Sequence, residues 1–138
     1  MIILNDIENI INEKEQDKII AHSDAFDKYE ILLNCQFDET NELFNLLNNK
    51  YNLNIDYFQT GMMLIDTNII SNNTKKNLIE LAEEFPISKT NEQGIIALYY
   101  TNIENKYKPI RINNDKYNLY DFCRRNKTAE YIMFKYNF

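Results

Sequence analysis

The stretch Gly61-Met62-Met63-Leu64-Ile65-Asp66 limits what this chain can fold into more than any other. Consecutive apolar residues with no polar alternation need cover on both faces, as a strand inside an α/β layer has. The run therefore predicts a central strand. Shorter candidates accompany it: Met1–Leu4, Ile19–Ala21 after the charged turn Glu13–Lys18, Pro109–Ile112 and Tyr131–Phe134. Helical spacing fills the gaps. Asn5 or Asp6 precedes Ile7, Ile10 and Ile11, and Asp24 precedes Phe26, Tyr29 and Leu33. Thr40 leads into Leu43, Phe44, Leu46 and Leu47, with an end near Asn48-Asn49. Thr74 is expected to cap a helix bearing Leu78, Ile79, Ala82 and Phe85, which Pro86 stops. Thr90 and Gln93 fit a capping box for a helix running to Tyr100. Strands alternating with helices predict an α/β fold, a mixed sheet flanked by helices with some parallel pairing. No repeat and no Gly-, Ser- or Pro-rich linker divides residues 1–138, so one domain is expected.

With 138 residues, 44% of them apolar, the chain can bury one core and is too short for a complete two-lobed enzyme. A net charge of −6 argues against general binding of nucleic acid, which needs clustered Lys and Arg. The one basic cluster, Arg124-Arg125 with Lys127, reads as a solvated loop. No apolar run approaches the roughly 18–20 residues of a membrane span. Asn5, Asp6 and Glu8 interrupt any leader-like stretch at the N-terminus. A soluble, cytoplasmic protein is expected. Cys35 and Cys123 belong to no C-x-x-C pair and read as reduced thiols packed as small hydrophobes. His22 is the only histidine, which disfavours zinc, and it reads as a surface or loop residue. The wealth of Asn, Ile, Lys and Tyr, with no Val or Trp, looks like an AT-rich genome acting on codons.

Two segments carry polar chemistry. In Gln59-Thr60-Gly61 an amide and a hydroxyl precede a glycine at the start of the apolar run. A ligand can approach that backbone without meeting a Cβ, and the two side chains suit sugar hydroxyls. The plain alternative is a tight turn into a core strand. In Asn91-Glu92-Gln93-Gly94 a carboxylate and two amides open a helix, where free N–H groups favour anionic or hydroxyl-rich ligands. Glu92 suits stabilisation of positive charge at an anomeric carbon, and the alternative here is simple capping. Asp66 reads as the cap of a turn at Thr67-Asn68 rather than as a metal ligand. The aromatic residues Tyr117, Tyr120, Phe122, Tyr131, Phe134, Tyr136 and Phe138 read as core or subunit contacts ahead of sugar-stacking surfaces.

In order, Tyr57-Phe58-Gln59-Thr60-Gly61-Met62-Met63-Leu64, a helix, and then Asn91-Glu92-Gln93-Gly94-Ile95-Ile96 resemble glycosyltransferase family eight and the glycogenin-like enzymes of the GT-A fold. That family has a Phe-Asn-Ser-Gly segment at a strand start. One helix later it has an Asp-Gln-Gly or Asp-Gln-Asp helix start. The resemblance implies that Gln59, Thr60 and Gly61 line a donor-sugar pocket and that Asn91 and Gly94 also contact substrate. It implies that Glu92 and Gln93 face the reacting sugar as the catalytic pair.

The departures are equally specific. The family's Asp-x-Asp metal motif would fall just before Met1, because Met1-Ile2-Ile3-Leu4-Asn5-Asp6-Ile7 looks like the stretch that follows it. Tyr131–Tyr136 lacks the late metal-ligating His. The resemblance therefore implies a truncated, C-terminal, sugar- and acceptor-side part, with no metal site of its own. Mn²⁺ or Mg²⁺ is expected only if an Asp-x-Asp half is supplied. A leaving diphosphate needs such a cation, and loss of a charge clamp costs on the order of several kcal/mol of barrier. Two expectations follow. The first is a glycosyltransferase lineage, transferring sugar from a nucleotide-sugar to a hydroxyl acceptor but inactive alone. The second is a non-catalytic glycan-contacting or subunit-interaction module. Either would need an N-terminal half or a homo-oligomer contact to cover strand edges near Met1–Leu4.

Overall fold

A computed structural model describes residues 11–23 and 32–109. Its elements run β1 (Ile19–Ser23), α1 (Leu43–Lys50), β2 (Phe58–Ile65), α2 (Thr74–Glu84), α3 (Glu92–Leu98) and β3 (Tyr107–Pro109). The three strands form one sheet in the order β2-β1-β3. β1 pairs antiparallel with β2 and parallel with β3, so the mixed α/β character expected from the sequence is present.

β1 forms where the charged turn ends, as its Ile-Ile-Ala run predicts, and it holds the middle of the sheet. Ile19 and Ala21 enter the main core. Ile20 points to the other face and is buried as well, so both faces of β1 are covered. This corrects the expectation for Gly61–Asp66. Among the described residues β2 flanks β1 instead of occupying the centre, and both Gly61 and Ile65 are exposed. The expected strands at Met1–Leu4 and Tyr131–Phe134, and the segment headed by Asp24, lie outside the described residues. So do the basic cluster, Cys123 and the late aromatics. β3 begins earlier than Pro109, at Tyr107.

The helices follow the apolar spacing with shifted ends. α1 buries Leu47 and leaves Leu46 exposed, while α2 buries Leu81 and leaves Ile79 exposed. Thr40 does not cap α1; its hydroxyl donates to Asp38 Oδ1 at 2.7 Å. Thr74 is not the cap of α2 but its first residue, after Asn73 at the cap, and its Oγ1 accepts from the Ser71 N–H at 2.9 Å. Phe85 follows α2 into the core, with Tyr51 edge-on to it at 6.1 Å. Lys50 and Glu84 pair at the ends of α1 and α2.

α3 packs against β2, α2 and the 3-10 turn Leu33–Gln36. It buries Ile95, Ala97 and Leu98 and continues as a π turn, Tyr99–Ile103. The Tyr99 hydroxyl donates to Glu104 Oε1 at 2.9 Å and accepts from Asn77 Nδ2 at 3.2 Å, which ties this end to α2. Burial pushes the Tyr99 hydroxyl above its usual pKa. Asn105 at φ 50° then reverses the chain into β3, a left-handed stop that asparagine tolerates. Among the described residues no helix is long and apolar enough to cross a membrane.

Candidate functional site

The register of β1 and β2 breaks at the segment singled out in the sequence. Ala21 faces Met63 and Ser23 faces Phe58. One residue of β1 therefore stands opposite the whole of Gln59–Met62. An irregularity of this kind bends a strand and frees backbone groups from the ladder; such bulges gather beside binding sites. The freed N–H of Thr60 donates to Gln93 Oε1 at 3.3 Å. The two polar segments, 33 residues apart in sequence, thus meet in space.

The second segment reaches that position through a short antiparallel contact. Phe37 bridges Ser88, the Asp38 N–H donates to the Ile87 carbonyl at 2.9 Å, and the Lys89 N–H donates to the Gln36 carbonyl at 2.8 Å. Immediately after it, the Gln93 N–H closes a turn on the Thr90 carbonyl at 3.1 Å. Asn91 sits in that turn at φ 50°, ψ −116°, the conformation of the first central residue of a type II′ turn, which favours glycine. The expected capping box does not form. Thr90 Oγ1 donates instead to Gln36 Oε1 at 2.6 Å, and Gln93 Nε2 donates to the same oxygen at 3.1 Å.

Gln36 was not anticipated from the sequence. It is 5% exposed, and its amide is fully used. Besides accepting from Thr90 and Gln93, it donates through Nε2 to Tyr57 Oη at 3.0 Å and to Cys35 Sγ at 3.3 Å. A buried amide with all its bonds made stabilises one arrangement of its neighbours, because breaking any bond leaves a desolvated polar atom. Nothing in the stretch Asn34-Cys35-Gln36-Phe37 distinguishes a buried glutamine from a loop one, beyond its place between apolar Leu33 and Phe37. Cys35 is a free thiol and donates to Tyr57 Oη at 3.4 Å.

The remaining residues divide by exposure. Asn91, Glu92 and Gly61 are exposed, and Gln59, Thr60 and Gln93 are half-buried. Among the described residues, chain neighbours aside, no atom lies within 4 Å of a Cβ built on Gly61, so these residues leave its backbone open to approach. Gly94 is different. It is buried, and a Cβ there would meet Ser88 Oγ at 2.6 Å and Gln36 Cβ at 3.2 Å. Close packing against the Gln36 segment explains that glycine. The α3 helix is also short, so the dipole invoked for its first turn is that of seven residues.

Asp66 closes β2 in the capping role expected of it. Its carboxylate accepts from the N–H of Asn68 at 3.1 Å and from the N–H of Asp17 at 3.0 Å. Those two backbone donors, Asp17 first, hold its pKa below the usual carboxylate value. Among the described residues no group of three His, Cys, Asp or Glu side chains could hold a metal ion.

Compared with known families, curated sequences and solved structures, the chain has no significant match.

Proposed function

We propose that the chain is the sugar-side part of a nucleotide-sugar transferase of GT-A type, related to glycosyltransferase family eight. One observation carries the reading: the bulged Gln59–Gly61 segment and the Glu92-Gln93 turn are joined by the Thr60 N–H to Gln93 Oε1 hydrogen bond. A sugar lying over the open backbone at Gly61 would be adjacent to the half-buried Gln59 and Thr60. The exposed Glu92 carboxylate would lie beside it, suited to positive charge at an anomeric carbon. Gln93 and Gly94 serve by shaping this surface. In this reading the diphosphate and its Mn²⁺ or Mg²⁺ are held by groups other than Gln59–Gly61 and Asn91–Gly94. The reaction is transfer of a sugar to a hydroxyl acceptor, and the described residues alone are not competent for it.

A second reading is favoured by the Gln36 hub. Its amide and the Gln93 oxygen are spent on internal bonds, as in a purely structural junction. The protein would then be a non-catalytic glycan-contacting or subunit-interaction module. Saturation-transfer NMR with UDP-glucose and UDP-galactose separates a sugar-facing site from a purely structural junction. The transferase reading predicts saturation of sugar-ring protons above uracil protons, with the sugar signal reduced at least threefold in Glu92→Ala. Equal loss of all signals, or signals unchanged by Glu92→Ala, rejects it.

A further inference from the structure

We infer that Gln36 is a positioning residue for this site, acting through Gln93 to hold the β2 bulge against the head of α3; its bearing on sugar binding rests on the reading above. The geometry is directional. Gln36 Oε1 fixes the Gln93 amide by accepting from its Nε2 at 3.1 Å, and that same amide presents Oε1 to the Thr60 N–H at 3.3 Å. The Thr90 hydroxyl, at 2.6 Å from Gln36 Oε1, pins the turn that precedes Gln93. On its other side Gln36 is anchored by Tyr57, the residue just before β2, and by its neighbour Cys35. One buried side chain thus touches the start of β2, the turn before α3 and the residue that joins the two.

A primary amide suits this place because it offers two donors and two acceptor lone pairs at once. The donors go to Tyr57 and Cys35, and the acceptors to Thr90 and Gln93. The steric fit is equally close: Gln36 Cβ and the Gln36 carbonyl are the second and third nearest atoms to a Cβ at Gly94, at 3.2 and 3.4 Å. Gly94 therefore lets α3 settle onto the Gln36 segment at the separation the Gln36–Gln93 bond requires.

The test is a double-mutant cycle read by amide hydrogen exchange at Thr60, with Leu81 in α2 as the reference amide. Gln36→Met, similar in length and apolar, is expected to speed Thr60 exchange about tenfold relative to Leu81. Gln93→Met is expected to do the same, and the double variant no more than Gln93→Met alone, because Gln36 acts through Gln93. Additive effects, or a Thr60 rate within twofold of wild type in Gln36→Met, overturn the inference. A general loss of stability would speed both amides together and would also count against it. Thr90→Val, which removes only one donor to Gln36 Oε1, is the milder variant should Gln36→Met not fold. A threefold rise at Thr60 supports the inference and no rise refutes it. Sugar saturation in the same variants is read separately. Its absence in wild type sinks the transferase reading and leaves the exchange cycle able to decide the role of Gln36.

Discussion

At the scale of single residues, the site is built from side chains whose roles differ from their apparent chemistry. Asn91 occupies a backbone conformation that L-residues rarely adopt, at φ 50°, ψ −116°. Relief of that strain outweighs the added freedom of glycine in the unfolded chain, so Asn91→Gly should stabilise the protein by about 1 kcal/mol. Urea denaturation would register this as a higher midpoint at unchanged slope. Gly94 presents the opposite case. Alanine there gains helix propensity of about 1 kcal/mol but forces Ser88 Oγ and Gln36 Cβ apart, an overpacking of roughly 1–3 kcal/mol. A net loss of about 1 kcal/mol is expected for Gly94→Ala. Ser88 Oγ is itself buried with no hydrogen-bond partner. Adding Ser88→Ala should therefore recover most of that loss, and thermal unfolding of the single and double variants checks it.

At the scale of elements, apolar spacing carried most of the legible information. It predicted α1, α2 and β1, because helix and strand periods are set by what each face buries, while α3 was read from the Thr90–Gln93 pattern. Leu47, Leu81 and Leu98 are buried as that logic requires. Leu46 and Ile79 are apolar yet exposed, since spacing alone cannot say how wide the buried stripe is. The Thr90–Gln93 pattern correctly marked a helix start, but the partner was illegible. Gln36 lies 54 residues from Thr90 in sequence and outcompetes the local cap. The bulge in β2 was equally invisible, because register depends on the partner strand.

Asp66, at the junction of β2 and the next turn, yields a pH prediction. Its folded pKa lies below its unfolded value, so its stabilisation is complete above the unfolded pKa. That contribution is lost as pH falls through the folded pKa, over the range from about pH 5 downward. Asp38 and Glu15 are shifted the same way by Thr40 and Lys108 and will share the acid limb. Asp66→Asn should be less stable than wild type at neutral pH, and the gap should close on acidification. A gap independent of pH would show that the carboxylate charge is not what the Asp17 and Asn68 amides recognise.

At the scale of the whole molecule, the fold matters because it turns two distant polar segments into neighbours. β1 joins an antiparallel partner to a parallel one, and the long connection from β1 to β3 carries α1, β2, α2 and α3. Within that connection the Gln36 segment and the Ile87–Lys89 segment pair, delivering the turn at Asn91 to the flank of the β2 bulge. The sequence disclosed that the layer is α/β. It did not disclose that β1 is the middle of the three described strands, or that a buried glutamine bonds to Tyr57, Thr90 and Gln93. The central claim is that Gln59–Gly61 and Asn91–Glu92 form one surface for a sugar. Amide-resolved NMR titration of the ¹⁵N-labelled protein with UDP-glucose is its most direct test. The account predicts saturable shifts at Gln59, Thr60, Gly61, Asn91 and Glu92 that share one binding curve. Shifts confined to one of the two segments, or absent from both at saturating sugar, would contradict it.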